Sequence, residues 1–423
     1  MTNPNSAQRK FTKDLQYYKF CSYGFLKNLR LFEPFLILFL LENGISFLQI
    51  GILYSIREIT RNLLEIPAGV IADSLGRKRT MVFSFSFYII SFVGFYFAQD
   101  FSFFILAMIL YAIGDAFRTG THKAMIFDYL KMKGWEDQKV WYYGHTRSWS
   151  QLGSAVSALV AAFIVVFTQS YRLIFIFSII PYLLDLFLII SYPKELNGNI
   201  ARFEKGKVWA TFKNVFLDFV FSFKELKVLK AIANLSVITG YYRAVKDFLQ
   251  PVLKTFALGL PVLLFMEDKQ REAIVIGLVY FFIYLLTSFA ARNSGRFSSK
   301  YNSLKTPLNY TIIIGFIAGI LSGIFFESGM IILSILFFIG IYLIENLRKP
   351  IGISYVTETI NKKDILATVL SAESQAHTIV AAIVAPLIGF LADQFGLAYA
   401  IIIASSVLLL LSPVYLLKKG KDK

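Results

Sequence analysis

Long apolar runs separated by short polar breaks dominate the chain. A membrane-spanning helix needs about 20 mostly apolar residues. Twelve stretches meet that length: 18–41, 47–70, 80–98, 102–126, 142–167, 171–192, 229–253, 271–291, 307–327, 330–350, 365–391 and 398–417. Pro34, Pro181, Pro251 and Pro386 fall inside or at the ends of these stretches, which membrane bundles tolerate. The pattern predicts an all-α membrane protein with twelve transmembrane helices. Its longest polar interval, 193–228, leaves six stretches on either side. The expected organisation is a tail over 1–17, a bundle over 18–192, a linker over 193–228, a bundle over 229–417 and a basic tail over 418–423.

Charge orients this arrangement. Alternate loops hold Arg77, Lys78 and Arg79, then Lys131, Lys133 and Lys139, then most of the basic residues of 194–227, then Arg292, Arg296, Lys300 and Lys305, then Lys362 and Lys363. The intervening loops carry almost no Lys or Arg, except around Lys254, Lys269 and Arg271. Both ends of the chain are basic. Membrane proteins concentrate Lys and Arg in cytoplasmic loops, so both termini are expected inside. In the linker, Trp209, Phe212, Phe216, Phe219 and Phe223 recur at steps of three and four. That stripe predicts an amphipathic helix at the inner headgroup surface.

Composition fits the same class. Of 423 residues, 56% are hydrophobic and 17% charged, with a net charge of +16, against about 25% charged in soluble domains. The excess apolar surface exceeds what a soluble core of this size can hide, which excludes a nucleic-acid-binding domain and a soluble enzyme. Cys21 is the only cysteine and there are three histidines, so no disulfide forms within the chain and no metal site is expected. The first sixteen residues lack an apolar signal core, so the first helix is expected to be an uncleaved anchor. No phosphate-binding loop, H-E-x-x-H or G-x-S-x-G string occurs, and no cofactor or enzymatic activity is expected.

After the second stretch comes G-x-x-x-D-x-x-G-R-K-R, formed by Gly69, Asp73, Gly76 and Arg77 to Arg79. The string resembles the signature of the major facilitator superfamily, in the place that family carries it. The glycines suit close helix approach and a tight turn. Asp73 suits a helix N-terminus, and Arg77 suits a bidentate carboxylate pair. A weakened copy follows at a constant offset of 219, where Ser288 and Arg292 replace the glycine and aspartate but Gly295 and Arg296 match. Such repeats accompany pseudo-symmetric halves. Arg118 precedes Asp128 by ten residues, as Arg348 precedes Glu358. The pairs Arg77–Asp128 and Arg296–Glu358 are therefore expected when the inner side closes.

Charges within the spans add an independent signal, because each costs about 2.5–3.5 kcal/mol near the bilayer centre. The candidates are Arg30 and Glu33; Arg57, Glu58, Arg61 and Glu65; Asp115, Arg118, His122 and Lys123; Arg147; Arg243, Lys246 and Asp247; Glu345, Arg348 and Lys349; and Glu373 and His377. Spans three, nine and twelve have none, and span six has only Asp185. The resemblance implies that three, six, nine and twelve are outer supports while one, four, seven and ten line a central cavity. Arg30/Glu33, Arg61/Glu65, Asp115/Arg118, Glu345/Arg348 and Glu373/His377 are spaced to share helix faces. Two readings stand: mutual neutralisation that locks helices together, or a polar pocket with a titrating carboxylate.

Cations outnumber acids, which points to anionic or zwitterionic solutes held by Arg. Glu33, Glu58 and Asp115 are candidate proton carriers. The expected function is proton-coupled alternating-access transport of a small polar solute across a bacterial inner membrane, by a monomer. The alternative is proton-driven efflux of amphipathic drugs, with Tyr241, Tyr242 and Phe248 lining an aromatic pocket. Against it, the fifth span lacks the Gly-Pro pattern of the drug/proton antiporters that this family includes.

Overall fold

The computed structural model describes residues 12–197, 213, 226–359 and 363–417, and among them there is no strand. The first half comprises α1 (Leu15–Lys27), α2 (Leu36–Glu42), α3 (Phe47–Leu75), α4 (Arg77–Phe97), α5 (Phe101–Arg118), α6 (Thr121–Met132), α7 (Lys139–Thr168) and α8 (Leu173–Ile190). The second comprises α9 (Leu226–Val245), α10 (Leu249–Gly259), α11 (Asp268–Ser298), α12 (Lys305–Glu327), α13 (Ile331–Thr359), α14 (Lys363–Phe395), α15 (Leu397–Leu410) and α16 (Ser412–Tyr415). The aromatic stripe of the linker and the basic C-terminal tail lie outside the described residues.

Helices occupy all twelve expected places, but not all as single rods. Among the described residues, eight units are long and apolar enough to cross a membrane: α4, α5–α6, α7, α8, α11, α12, α13 and α14. The first expected span is instead α1 and α2, separated by a 3-10 turn over Glu33–Phe35. The seventh is α9 and α10, separated by a 3-10 turn over Lys246–Phe248. The fourth breaks between α5 and α6 at Gly120, whose φ of 80° favours a residue without Cβ. Each break coincides with polar residues that make tertiary contacts, as described below. Helix starts are set by local capping. Asp14 accepts from the Tyr17 amide at 2.8 Å, and Ser46 and Gln49 form a reciprocal capping box.

Two helix pairs make most of the contact between the halves, α3 with α14 and α7 with α11. They are counterparts: second span on eleventh, and fifth on eighth. Both crossings use small residues. A Cβ on Gly51 would strike the backbone of Ala385 and Pro386, one on Gly389 the backbone of Phe47 and Leu48, and one on Gly277 the Ala162 side chain. Close backbone approach of this kind is how helices associate where lipid removes the hydrophobic drive. All three glycines lie toward the end opposite the basic loops.

The signature loop only partly follows expectation. Gly76 makes the tight turn, at φ 93°, between α3 and α4. Gly69 makes no close approach among the described residues: none of them lies within 4 Å of where its Cβ would be. Asp73 sits in the last turn of α3 rather than at a helix start, largely exposed and 3.9 Å from Arg77. In the second half there is no turn at all, because α11 runs through Gly295 to Ser298.

Candidate functional site

Arg77 Nη1 donates to Asp128 across the end of the first bundle. Both side chains are partly exposed, so the pair contributes only about 0.2–1 kcal/mol. Asp128→Asn is expected to change thermal stability by no more than that, read by unfolding in detergent. Arg296 is exposed and reaches Asn293 at 3.5 Å. The expected Arg296–Glu358 pair falls outside what is described, because the Glu358 side chain is not among the described ones.

The intramembrane charges of the first half converge. Asp115 on α5 binds Arg118 at 2.7 Å and Arg61 of α3 at 3.3 Å. The Tyr88 hydroxyl donates to the same carboxylate at 2.8 Å and accepts from Arg118 Nε at 3.0 Å. Arg61 thus reaches a neighbouring helix rather than Glu65 one turn away. Arg57 pairs with Glu58 at 3.2 Å and covers the Tyr54 ring at 4.7 Å. Arg30 stands 3.8 Å from Glu33. His122 is buried, stacked on Tyr23 with centroids 3.5 Å apart, and its Nε2 lies 3.2 Å from the Tyr192 hydroxyl.

A second set of contacts ties the halves together. Lys246 binds Glu33 at 2.9 Å and its neighbour Asp247 at 3.2 Å. Arg243 binds Glu58 at 2.7 Å. Gln250 donates to the Glu33 carbonyl and accepts from the Ile37 amide. The two 3-10 turns therefore meet each other. They free backbone groups and direct side chains that continuous helices would hold apart. Farther toward the end opposite the basic loops, Lys269 binds Glu42, and Asp393 accepts from the Phe47 and Leu48 amides.

Two buried charges there are missing from the candidates named from the sequence, where Arg271 counted only as a loop cation. Arg271 and Glu272 belong to α11. Arg271 donates to the carbonyls of Ala257, Leu258 and Leu260, capping the C-terminus of α10. Glu272 is 3% exposed and shared between the Tyr171 hydroxyl and Lys254 at 3.3 Å. Their position beside a polar loop disguised them as loop residues.

One expected pair of the second half, Glu345 with Arg348, does not form. Glu345 accepts from Thr239 at 2.9 Å, while Arg348 donates to Asn234, 2.9 Å from its carbonyl. Glu373 and His377 do meet, at 3.2 Å. Tyr241 and Phe248 are fully buried, the former bonded to Ser405, and Tyr242 packs edge-on to Tyr342. None of the three lines the cavity described next.

That cavity, of about 510 Å³, lies in the half of the molecule nearer the basic loops. Its cationic wall comprises Lys27, Arg61, Arg118, Lys123, Arg147 and Lys349, with His122 beside them. No carboxylate lines it among the described residues. Arg61 and Arg118 share Asp115. The other four have no carboxylate within ion-pair distance among the described residues. Lys123 instead lies over the Phe127 and Tyr143 rings. Lys27 was missed as a site residue, although a lysine twelve residues into α1 is itself a signal. Arg30, Glu33, Arg57, Glu58, Arg243, Asp247, Glu345, Arg348, Glu373 and His377 lie away from this wall.

No polar tie between the halves crosses the cavity among the described residues; those ties lie at mid-depth and at the opposite end. The molecule is thus closed at one end and hollow at the other.

Similar proteins share this architecture. A 104-residue segment is 36% identical to the uncharacterized MFS-type transporter YxaM of Bacillus subtilis (strain 168), spanning 24% of this chain and 26% of that protein. The fold superposes on the nucleoside transporter NupG with a TM-score of 0.75, at 15% identity over 95% of this chain and 98% of that one. It superposes on a POT family transporter in complex with a thioalcohol conjugated peptide with a TM-score of 0.70, at 14% identity over 94% and 93%. At that identity the likeness is one of fold alone. Residues 20–372 match the Major Facilitator Superfamily. With its helix pairing, its signature loop and that match together, the chain belongs to the Major Facilitator Superfamily, a family of multi-pass membrane transporters.

Proposed function

We propose that this protein is a secondary transporter of a small anion, working by alternating access and driven by a proton gradient. The observation that carries the reading is the cavity wall: six cations and no carboxylate among the described residues. Its volume falls within the about 300–1,000 Å³ typical of small-molecule sites. Guanidinium and ammonium groups recognise carboxylate or phosphate through charge-assisted hydrogen bonds. A neutral solute would leave four cations of the wall, Lys27 half-buried and Lys123, Arg147 and Lys349 exposed, without a counter-charge. The nucleoside and peptide transporters of like fold support transport in general. They do not select among solutes.

The cycle follows from where the ties lie. The basic loops and both tails face the cytoplasm of a bacterial cell, so the cavity opens inward. The Glu33–Lys246 and Glu58–Arg243 pairs, with the glycine crossings beyond them, close the outer side. Rocking one bundle against the other would break these and close the inner side. Arg77–Asp128 already exists with the inner side open, and it lies within one bundle. Its part is to brace the first half in either state. Glu33, Glu58 and Asp115, the expected proton carriers, each hold cations here and serve as ties between helices.

Proteoliposomes with an imposed pH gradient test the reading. Accumulation of small di- or tricarboxylates or phosphorylated metabolites is expected, with no movement of neutral sugars. Accumulation of a neutral sugar or a lipophilic cation instead would overturn it. Lys27→Met and Arg147→Met are each expected to weaken anion binding about 10- to 100-fold, since a hydrogen bond to a charged group contributes about 1.5–3 kcal/mol.

A further inference from the structure

One ionisable residue has no part in the ties described above. Asp185 lies on α8, a support helix, and is 0% exposed. Neither carboxylate oxygen has a hydrogen-bond partner among the described residues. Glu33, Glu58 and Asp115 all hold cations; Asp185 holds none. A buried carboxylate avoids the cost of an isolated charge in two ways: it takes a proton, or a cation turns to it.

The groups facing it offer such a cation. The charges acting on Asp185 are Lys27 of α1 and Arg118 of α5. Tyr23 of α1 and Tyr192 just beyond α8 also feel its charge. Arg118 is committed to Asp115 and Tyr88. Tyr192 connects to His122 at 3.2 Å, and Tyr142 of α7 lies near it. Of the groups on α4, Tyr88 is turned to Asp115. Lys27 is the uncommitted one. Among the described residues its ammonium reaches only the Asn28 side chain, at 3.4 Å, and it lines the anion cavity. Its four-carbon stem gives it the freedom to face either way.

Building on the anion reading, we propose that Asp185 is the proton-binding group of the transport cycle and that Lys27 switches between it and the transported anion. Without anion, the Lys27 ammonium turns to the Asp185 carboxylate. When an anion takes Lys27, the carboxylate binds one proton from water in the cavity and becomes the neutral acid. The charge buried in the first bundle then changes by the anion and one proton together. Each anion thus carries a proton, and releasing either releases the other. The support helix gives Asp185 a fixed place behind the cavity, out of reach of the solute itself.

The test uses purified full-length protein with sulfate, a dianion that does not titrate from about pH 5 to about pH 9, the range over which a displaced carboxylate is sought. Chloride at equal ionic strength is the control. Sulfate binding is read as thermal stabilisation at each pH. Proton uptake on adding sulfate is read in weakly buffered solution. Infrared difference spectra follow the protonated carboxyl band. In the wild type, sulfate stabilises more strongly at lower pH and draws protons from solution. Asp185→Asn is expected to bind sulfate at every pH as the wild type does in acid, without proton uptake, and to lose one pH-dependent carboxyl band. Asp185→Glu is expected to restore both with a displaced midpoint. Lys27→Met is expected to keep the carboxyl band and abolish its response to sulfate.

A wild-type pH profile or an unchanged carboxyl band in Asp185→Asn would overturn the proposal. If sulfate and the other anions fail to bind in every variant, the anion reading falls. The carboxyl band and its loss in Asp185→Asn then decide separately whether Asp185 binds the proton.

Discussion

Asp115→Asn is expected to lower stability by about 3 kcal/mol, because it removes the carboxylate shared by two largely buried guanidinium groups. Asparagine keeps the shape of the side chain and removes its charge. Arg118, at 2.7 Å, and Arg61, at 3.3 Å, would then face each other's field with nothing between them. Tyr88 would also lose the oxygen to which it donates at 2.8 Å. Each unpaired charge costs more in a desolvated interior than at a surface. The measurement is thermal unfolding in detergent beside Asp128→Asn, whose pair is half-exposed. A loss no larger than that control's would show that Asp115 neutralises little. Adding Arg61→Met to Asp115→Asn should recover part of the loss, since one surplus charge goes with it. A merely steric role for Asp115 would give no recovery.

Gly51→Leu is expected to stop transport by holding the closed end apart. The new side chain would meet the backbone of Ala385 and Pro386 on α14, and backbone cannot turn aside as a flexible side chain can. Overpacking of this kind costs about 1–3 kcal/mol. That is comparable to the few kcal/mol separating two functional conformations, so it shifts the population without unfolding the chain. Ile37 reports the change: it is fully buried at the seam, its amide bonded to Gln250. In a Cys21→Ser background, Ile37→Cys should react slowly with a membrane-impermeant thiol reagent from the closed side. Adding Gly51→Leu should make that reaction at least about tenfold faster, a shift of about 1.4 kcal/mol. Unchanged labelling in a monodisperse, folded protein would remove this crossing from the gate.

The same two residues mark how far the sequence could be read. Asp115 was a visible candidate, and Arg118 three residues on was its foreseeable partner, because that spacing puts both on one face of a helix. Arg61 was foreseen with Glu65 by the same rule, yet it reaches Asp115. Local spacing tells which groups a side chain can meet within its own helix. It carries no information on the helix packed alongside, whose desolvated carboxylate wins in a low dielectric. Glu345 and Arg348 parted for a like reason, each finding an uncharged partner on α9. Gly51 carried no signal, since a glycine in an apolar run reads the same whether it faces lipid or another backbone.

By itself the sequence determined that the chain is helical and lives in a membrane, roughly where its apolar helices lie, and that Arg77 and Asp128 could pair. Apolar length, loop charge and a short fixed motif are all local properties, readable one segment at a time. Only the tertiary structure decided that six cations from six helices line one cavity, that two broken spans meet at Glu33 and Lys246, and that Asp185 has no hydrogen-bond partner among the described residues. Those depend on how helices distant in sequence rotate against one another. A rotation of a few tens of degrees moves a charge from lipid to a cavity without changing one residue of the pattern.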